Sequence, residues 1–509
     1  MPSPAEKLAK SLEALETLQR AGRTCIRSEE LGRTDRERLV RNGFLRPVMK
    51  GWYIAARPDE AAGESTAWYA SFWGFCSEYL TARFDEAWCL SPEQSLLLHA
   101  GNWTVPRQLL VRADGGSNRP VTLLHGTSLL DARQALPAGN AQTMLDTMRV
   151  YSVDSALIAA SPSFFTSYPT DARAILAVQR DATGLLTRLL AGNHTAIAGR
   201  LAGAFRNIGA DRIADDLLSA MRAAGHEVRE TDPFGSRLDG FIFQREPSPY
   251  VHRIRLMWEK MRHDIKGRLP VPPAKRNDIQ AYLASVDELY VTDAYHSLSI
   301  EGYRVTRDLI ARIRDGQWNP ERNQTDREHR DAMAARGYFQ CFTAVKQSVS
   351  RVLSGENPGQ VADDDHSAWY RAMFGPSVET GLIDAATLAG YRSGQVYIRG
   401  SQHRPLNVEA VRDTMPAFFD LLREESDPAV RIVLGHFIFV YIHPYIDGNG
   451  RMGRFLMNVM MAAGGYPWTV INVDQRDTYM KALEAASVDQ DVIPFADFMA
   501  EQIRRPTEQ

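Results

Sequence analysis

The 509-residue sequence has only four cysteines, Cys25, Cys76, Cys89 and Cys341, and no two of them stand at a CxxC or other metal-ligating spacing. That argues against a disulfide framework and against a structural zinc. There is no excess of one charge: the formal net charge is −3, which gives no overall attraction to nucleic acid or to an anionic membrane. No uninterrupted apolar run approaches the roughly 20 residues that span a bilayer. The opening segment MPSPAEKLAKSLEALE lacks the apolar core of a signal peptide. Internal repeats and low-complexity tracts are also missing. What remains is an ordinary globular composition, 44% hydrophobic and 24% charged, and length enough for about two to four domains. A cytoplasmic location is the expectation.

Four regions are expected. Residues 1–60 read as helix, helix, helix and wing. Leu8, Leu12, Leu15 and Leu18 repeat at helical spacing, Ser28 to Leu31 offers a short capped helix, and Thr34 with Glu37 forms a capping-box pattern. "FLRPVMKGWYIA" reads as a hairpin turning near Lys50-Gly51. This is the layout of a winged helix-turn-helix. Between Arg20 and Arg57 there are ten Lys/Arg against four Asp/Glu, the local balance that phosphate contacts require. A protein-docking role is the competing reading. Residues 61–135 read as small mixed α/β, with "QLLVRA" and "VTLLHG" as strands, and 136–245 as helical. Beyond these, 246–509 is nearly all helical, after a proline-rich punctuation at Lys266 to Asp278. Within it, Val396, Tyr397 and Ile398 suggest one short strand. The fold class is therefore mainly α.

"HPYIDGNGRMGR", His443 to Arg454, contains GxGxxG and admits a dinucleotide-binding reading. That reading needs a strand running into the first glycine. Instead Val430, Val433, Leu434, Phe437, Ile438, Tyr441 and Ile442 recur at helical spacing, and Met452, Phe455, Leu456, Val459, Met460 and Ala463 do so after the glycines. The motif is helix–loop–helix, and the dehydrogenase reading fails. Gly448, Asn449 and Gly450 at a helix start offer unpaired N–H groups to an anion. Arg451 and Arg454, three residues apart, can both grip phosphate oxygens. Asp447 is an oxygen ligand for a hard cation, and His443 is a base suited to neutral pH. Taken together, these groups suit transfer from a nucleotide to a hydroxyl.

The stretch resembles the signature of the Fic (filamentation induced by cAMP) family, HPF-x-[DE]-GNGR-x-x-R, with Tyr445 in place of phenylalanine. The resemblance extends over roughly Asp278 to Ile503. It implies an all-helical core with a small β-hairpin flap that moves AMP from ATP, with Mg²⁺ or Mn²⁺, to a Ser, Thr or Tyr hydroxyl of a target protein. By position His443 would be the base and Asp447 the metal ligand. The ATP site would use Gly448, Asn449, Gly450, Arg451, Gly453 and Arg454. The flap would be Val396, Tyr397, Ile398 and Arg399, pairing with the target's backbone. Tyr479 and Met480 would lie near the adenine, and Ser487 replaces an asparagine that some members carry. Ser297, Glu301 and Gly302 resemble the family's inhibitory motif, [ST]-x-x-x-E-[GN]. A bare helix end would give the same pattern.

The first half resembles, in patches, antitoxin-like regulators of abortive-infection systems, through "LVRNGFLRPVMKGWYIA", "SPEQSLLLHAGNWTVP" and "LAGAFRNIGADRIADDLLSAMRAAGHEVRETDPF". Two functions stay open. One is an autoinhibited adenylyltransferase. The other is a DNA-binding regulator whose Fic domain mainly removes AMP or moves another phosphate-containing group. DNA and a second copy of the chain are the further partners considered, and no membrane partner is expected.

Overall fold

The computed structural model describes residues 3–58, 60, 63–236, 246–273, 278–317 and 330–505. The chain forms two compact units. The first is Met1–Arg253 together with Tyr397–Arg404, and the second is Ile254–Val396 with Pro405–Gln509.

In the first unit, α1 (Pro4–Arg20) is started by a Ser3–Glu6 capping box and followed by β1 (Cys25–Arg27), α2 (Arg33–Arg41), β2 (Leu45–Met49) and β3 (Trp52–Ala55). The strands pair antiparallel in the order β1-β3-β2 over a core of Leu15, Ile26, Leu31, Leu39 and Leu45. The expected helix at Ser28 to Leu31 is a turn. The Glu30 carboxylate accepts the Arg27 N–H at 2.7 Å, and the Ser28 N–H goes across to the Gly51 carbonyl. The expected Thr34–Glu37 box does not form either, because α2 starts two residues earlier, with Gly32 rather than Thr34 as its cap. Glu37 pairs with Arg33 instead, at 2.8 Å.

The unit continues with α3 (Thr66–Phe84), β4 (Trp88–Leu90), α4 (Pro92–His99), β5 (Gln108–Ala113), β6 (Pro120–Thr122) and β7 (Ser128–Arg133), in the sheet order β4-β5-β7-β6. Only Pro120–Thr122 of the segment around "VTLLHG" is strand, because the chain turns at Leu124–Gly126. A hairpin, β8 (Gln142–Leu145) and β9 (Met148–Tyr151), leads into a helical layer, α5 (Val153–Ala159) to α10 (Asp211–Ala223). The layer has its own core around Phe164, Leu176, Leu201 and Phe205.

Tyr397–Arg404 packs within this first unit. Arg399 forms a two-pronged ion pair with Glu64 (2.8 and 2.7 Å), the Gly400 N–H bonds Thr66 Oγ1, and the Val105 N–H bonds the Gln402 carbonyl. The strand expected at Val396 to Ile398 is not present, since the segment has no ladder partner among the described residues and turns at Arg399–Gly400.

α11 (Pro249–Ile265) contains the sequence boundary between the units, Arg253 to Ile254. The expected punctuation Lys266 to Asp278 lies partly outside the described residues. The second unit then contains α12 (Ile279–Ile300), α13 (Arg307–Arg314), α14 (Arg330–Leu353), α15 (Pro358–Glu379), α16 (Val408–Glu424), α17 (Pro428–Ile442), α18 (Asn449–Ala463), α19 (Arg476–Glu484) and α20 (Ile493–Arg504). α17 is buried on every side from Ala429 to Ile442, apart from Arg431, so it is the central helix rather than an amphipathic one. Asp427 caps its start, accepting the N–H groups of Ala429 and Val430. No described helix is long and apolar enough to cross a membrane.

Candidate active site

α17 ends because Pro444 cannot continue it. Its last residue turns through a left-handed conformation at His443 (φ 57°, ψ 60°). A side chain held there costs on the order of 1 kcal/mol and is worth a functional question. The ring's Nδ1 lies 3.1 Å from the Val440 carbonyl, so Nδ1 carries the proton and Nε2 keeps its lone pair. Burial pushes this imidazole's pKa down to about 4, so it is neutral at pH 7. Its free Nε2 can take a proton, on a loop whose exposed residues are Ile446 and Asp447.

The loop is stapled by Asn449, whose amide accepts the Tyr445 N–H (2.9 Å) and donates to the Tyr445 carbonyl (2.8 Å). Only the backbone of Asn449 is left for the expected anion site, because its side chain holds the loop. The Tyr445 ring stacks on Tyr370 with centroids 3.8 Å apart, which is how the phenylalanine position tolerates tyrosine. Gly448 (φ 79°) needs to be glycine twice over, because a methyl there would also lie 2.8 Å from the Phe374 ring. Gly453 has a different job from its neighbours. A methyl on it would meet Val440 at 2.9 Å and the His436 ring at 3.2 Å, so it serves the packing of α18 on α17. His436 in turn bonds the buried Tyr479 hydroxyl at 2.7 Å. Met480 is half-buried beside it, and Ser487 lies buried in a π-turn, Ala485–Asp489, a widening often found at functional sites.

The two arginines sit differently. Arg451 is 1% exposed, with its guanidinium between the rings of Tyr303 and Phe374, each centroid 5.1 Å away. Asp447 Oδ2 is 3.6 Å from it, and Asp447 itself is more than half exposed. Arg454 donates from Nε to Ser297 Oγ (2.9 Å), and from Nη2 to the Ser297 carbonyl (3.0 Å) and to Glu301 Oε1 (2.7 Å). Gly302 (φ 87°) ends α12, and the Tyr303 N–H returns to the Leu298 carbonyl. The helix end is real and also brings Glu301 to the arginine. Burial opposes ionisation of Glu301, but the charges of Arg454 and Arg451 outweigh it and hold the carboxyl below its ordinary value. A methyl built on Gly450 would collide with Glu301 Oε1. The carboxylate therefore lies against the N-terminus of α18, where an anion would bind.

α12 is fixed along its length. Tyr338 donates to the buried Asp293 (2.7 Å), Tyr282 to the Tyr466 carbonyl, and Arg476 to the Ile300 carbonyl (2.8 Å). Residues 365–461 match the sequence profile of the Fic/DOC family.

The chain carries a Fic domain.

Among curated relatives, protein adenylyltransferase fic-1 of Caenorhabditis briggsae is 27% identical over 276 residues, 53% of this chain and 49% of that protein. The Caenorhabditis elegans fic-1 is 27% identical over 279 residues, with the same two shares. Protein adenylyltransferase Fic of Nematostella vectensis is 29% identical over 222 residues, 42% of this chain and 47% of that protein. The chain thus spans about half the length of the curated relatives it matches. A solved fragment of C. elegans Fic-1 is 20% identical and aligns with a TM-score of 0.36 over 63% of this chain and 89% of its own.

Several groups of the Fic domain had no signal in the sequence. Arg392 donates to the His443 carbonyl. Asn449 acts as a staple, Tyr303 and Phe374 sandwich Arg451, and His436 stands behind Gly453. All but the Asn449 staple, whose partner Tyr445 is four residues back, depend on a partner further away in the chain. Tyr397 and Arg399, expected over the nucleotide, group with the first unit.

Among the described residues no cluster of three or more His, Cys, Asp or Glu could hold a metal. A single exposed carboxylate, Asp447, does suit Mg²⁺ or Mn²⁺ arriving on phosphates, since Mg²⁺ commonly takes one or two carboxylates plus substrate oxygens.

Proposed function

We propose that the chain is a protein adenylyltransferase that Glu301 holds off. The observation that carries this reading is the Glu301 carboxylate on Arg454 at 2.7 Å and against Gly450, where a phosphate would otherwise bind.

In the active arrangement the triphosphate of ATP lies on the N-terminal amides of α18, with Arg451 and Arg454 on its oxygens. Tyr479 and Met480 stand beside the adenine. His443 Nε2 takes the proton of a Ser, Thr or Tyr hydroxyl on the target protein. That oxygen attacks the α-phosphorus, the bond from the α-phosphorus to the bridging oxygen breaks, and pyrophosphate leaves. Asp447 would hold Mg²⁺ or Mn²⁺, which supplies neutralisation of phosphate charge. With Glu301 in place, Arg454 is engaged and a negative charge sits where the triphosphate must lie. Incubation with labelled ATP and host lysate tests the reading: protein-bound label supports it, and its absence from both wild type and Glu301→Gly contradicts it.

The winged-helix region remains a proposed targeting or regulatory module, in a cytoplasmic enzyme, and oligomerisation is left to direct measurement. DNA binding is the weaker use of that region. Arg20, Arg23, Arg27, Arg33, Arg38 and Arg46 all pair with carboxylates, while Arg36 donates to the carbonyls of Ser28 and Leu31. Three cations, Arg41, Lys50 and Arg57, make no ion pair within 4 Å among the described residues. Three phosphate contacts give a log K against log salt slope of only about −3. A slope of −6 or steeper in duplex titrations would reinstate the DNA-binding reading.

A further inference from the structure

Arg392 is 3% exposed and has no carboxylate within ion-pair distance among the described residues. Its charge is satisfied by carbonyls alone. Nε donates to the His443 carbonyl at 2.8 Å, Nη1 to the Gly394 carbonyl at 3.0 Å, and Nη2 to the Leu406 carbonyl. Its own backbone N–H donates to the Pro444 carbonyl at 2.9 Å. Gly394 and Leu406 lie on either side of the stretch that contains Val396 to Arg399, the residues that resemble the family's flap, and Arg392, Gly394, Leu406, His443 and Pro444 all belong to the second unit. Gln395 adds a second tie across the flap ends, with Nε2 donating to the carbonyls of Val396 and Pro405 at 3.0 Å each.

A buried cation without an anion is costly, because burial disfavours its charge. The cost is offset here by charge-assisted bonds, roughly twice as strong as neutral ones. The His443 carbonyl is also at the C-terminus of α17, where the helix dipole is negative. Only a planar fork can reach three carbonyls in different directions, and lysine cannot replace it. The left-handed turn at His443 is held from both sides: the His443 N–H goes to the Phe439 carbonyl and its C=O to Arg392.

We propose that Arg392 is a positioning residue that locks the backbone of His443 to Gly394 and Leu406 in one frame within the second unit, so that the base keeps the turn from which it meets an acceptor hydroxyl. This rests on the adenylyl-transfer reading, and goes beyond it by naming what fixes the backbone of the base. Its consequence is selective. Nucleotide binding uses α18 and its arginines, so only steps that use the base depend on the frame.

The test uses the full-length chain carrying Glu301→Gly, with Arg392→Lys and Arg392→Gln added singly. Amide hydrogen exchange is followed in residues 394–406 and 443–450. Both segments should lose protection together, by about tenfold or more, the scale of one lost bond of roughly 1.4 kcal/mol. Transfer of AMP to protein should fall about 10²-fold, the effect of a misplacement near 1 Å. ATP affinity should stay within about threefold of the parent, a factor below 1 kcal/mol, while AMP release to water, which uses the same base, falls with transfer. Gln395→Leu is the control that also covers misfolding of the arginine variants. It should loosen 394–406 and leave 443–450 protected.

The inference is overturned if exchange rises in one segment only or in neither. Equal loss of transfer, hydrolysis and ATP binding also overturns it, as does loosening of both segments by Gln395→Leu. If the Glu301→Gly parent transfers no AMP at all, the adenylyl-transfer reading fails on its own, and the exchange data still decide whether the frame exists.

Discussion

Replacing Glu301 by glycine should switch the enzyme on, and the structure sets the scale of the change. The carboxylate makes one charge-assisted bond to Arg454 at 2.7 Å. A hydrogen bond to a charged group contributes about 1.5–3 kcal/mol, or roughly 10- to 150-fold in an equilibrium. Loss of the carboxylate does not strand the arginine, because Ser297 Oγ and the Ser297 carbonyl still accept from it. The guanidinium then faces an emptied cradle beside Gly450, and phosphate oxygens replace the missing partner. Correct seating of the α-phosphate contributes about a further 10²-fold in rate but little in affinity.

The expected result is transfer raised by at least about 10²-fold, with ATP affinity improved by about tenfold or less. The free variant should melt earlier than wild type, since a buried bond is lost, and ATP should raise its melting temperature more than it raises that of wild type. Glu301→Gln, which keeps the size and removes the charge, should fall between the two. The assay is transfer of label from ATP to protein in host lysate, with calorimetric titration of ATP in parallel. A Glu301→Gly protein that binds ATP and labels acceptors no faster than wild type would refute the reasoning, and α12 would then simply end at Gly302.

Four further outcomes follow from the same geometry. His443→Ala in the active background should lose about 10²–10⁴-fold in transfer while ATP affinity holds. Because burial puts the imidazole pKa near 4, kcat/KM should show no acidic loss from histidine between pH 7 and 5 and fall only below that; a limb centred at 6.5 would contradict the buried, Nδ1-protonated ring. Asp447→Ala should shift the Mg²⁺ titration to higher concentration along with lowering the rate, and an unaltered titration would place the cation on other groups. Burial raises the Asp293 carboxyl to about 6, so the folded state holds this proton more tightly than the unfolded chain. Its contribution is complete below the ordinary carboxylate value and is lost as pH rises through about 6. Asp293→Asn should therefore gain on the order of 2 kcal/mol relative to wild type at pH 7 and show little of that difference at pH 4, as denaturant titrations at both values would report.

The helices around the site were legible because their signals are local. Apolar spacing on both sides of the loop, Pro444 as a stop and Asp427 as a cap need no distant partner, and they give the helix–loop–helix from Pro428 to Ala463. Glu301 was legible for another reason: the motif resemblance singled it out, and the fold then brings it to Arg454, 153 residues on. Assignments that depend on tertiary packing came out differently. Gly453 reads as part of a glycine cradle, yet what requires it is the closeness of His436 and Val440 on a neighbouring helix. The run Val396-Tyr397-Ile398, β-branched and aromatic, has strand propensity but no ladder partner among the described residues, and the next residue, Arg399, is taken by Glu64. At the other end of the chain, Glu37 has the right offset for a capping box, but Arg33 is one turn away and takes it first. Arg392 carried no local signal at all, since its three acceptors are backbone carbonyls that any sequence would supply.

The most direct test of adenylyl transfer is to offer the Glu301→Gly protein ATP labelled at the α-phosphate and, separately, at the γ-phosphate. Label from the α-position should appear on protein hydroxyls, with none from the γ-position, and the modified peptides should carry the mass of AMP. Protein label from the γ-position, or none from either while ATP binds, would contradict the account.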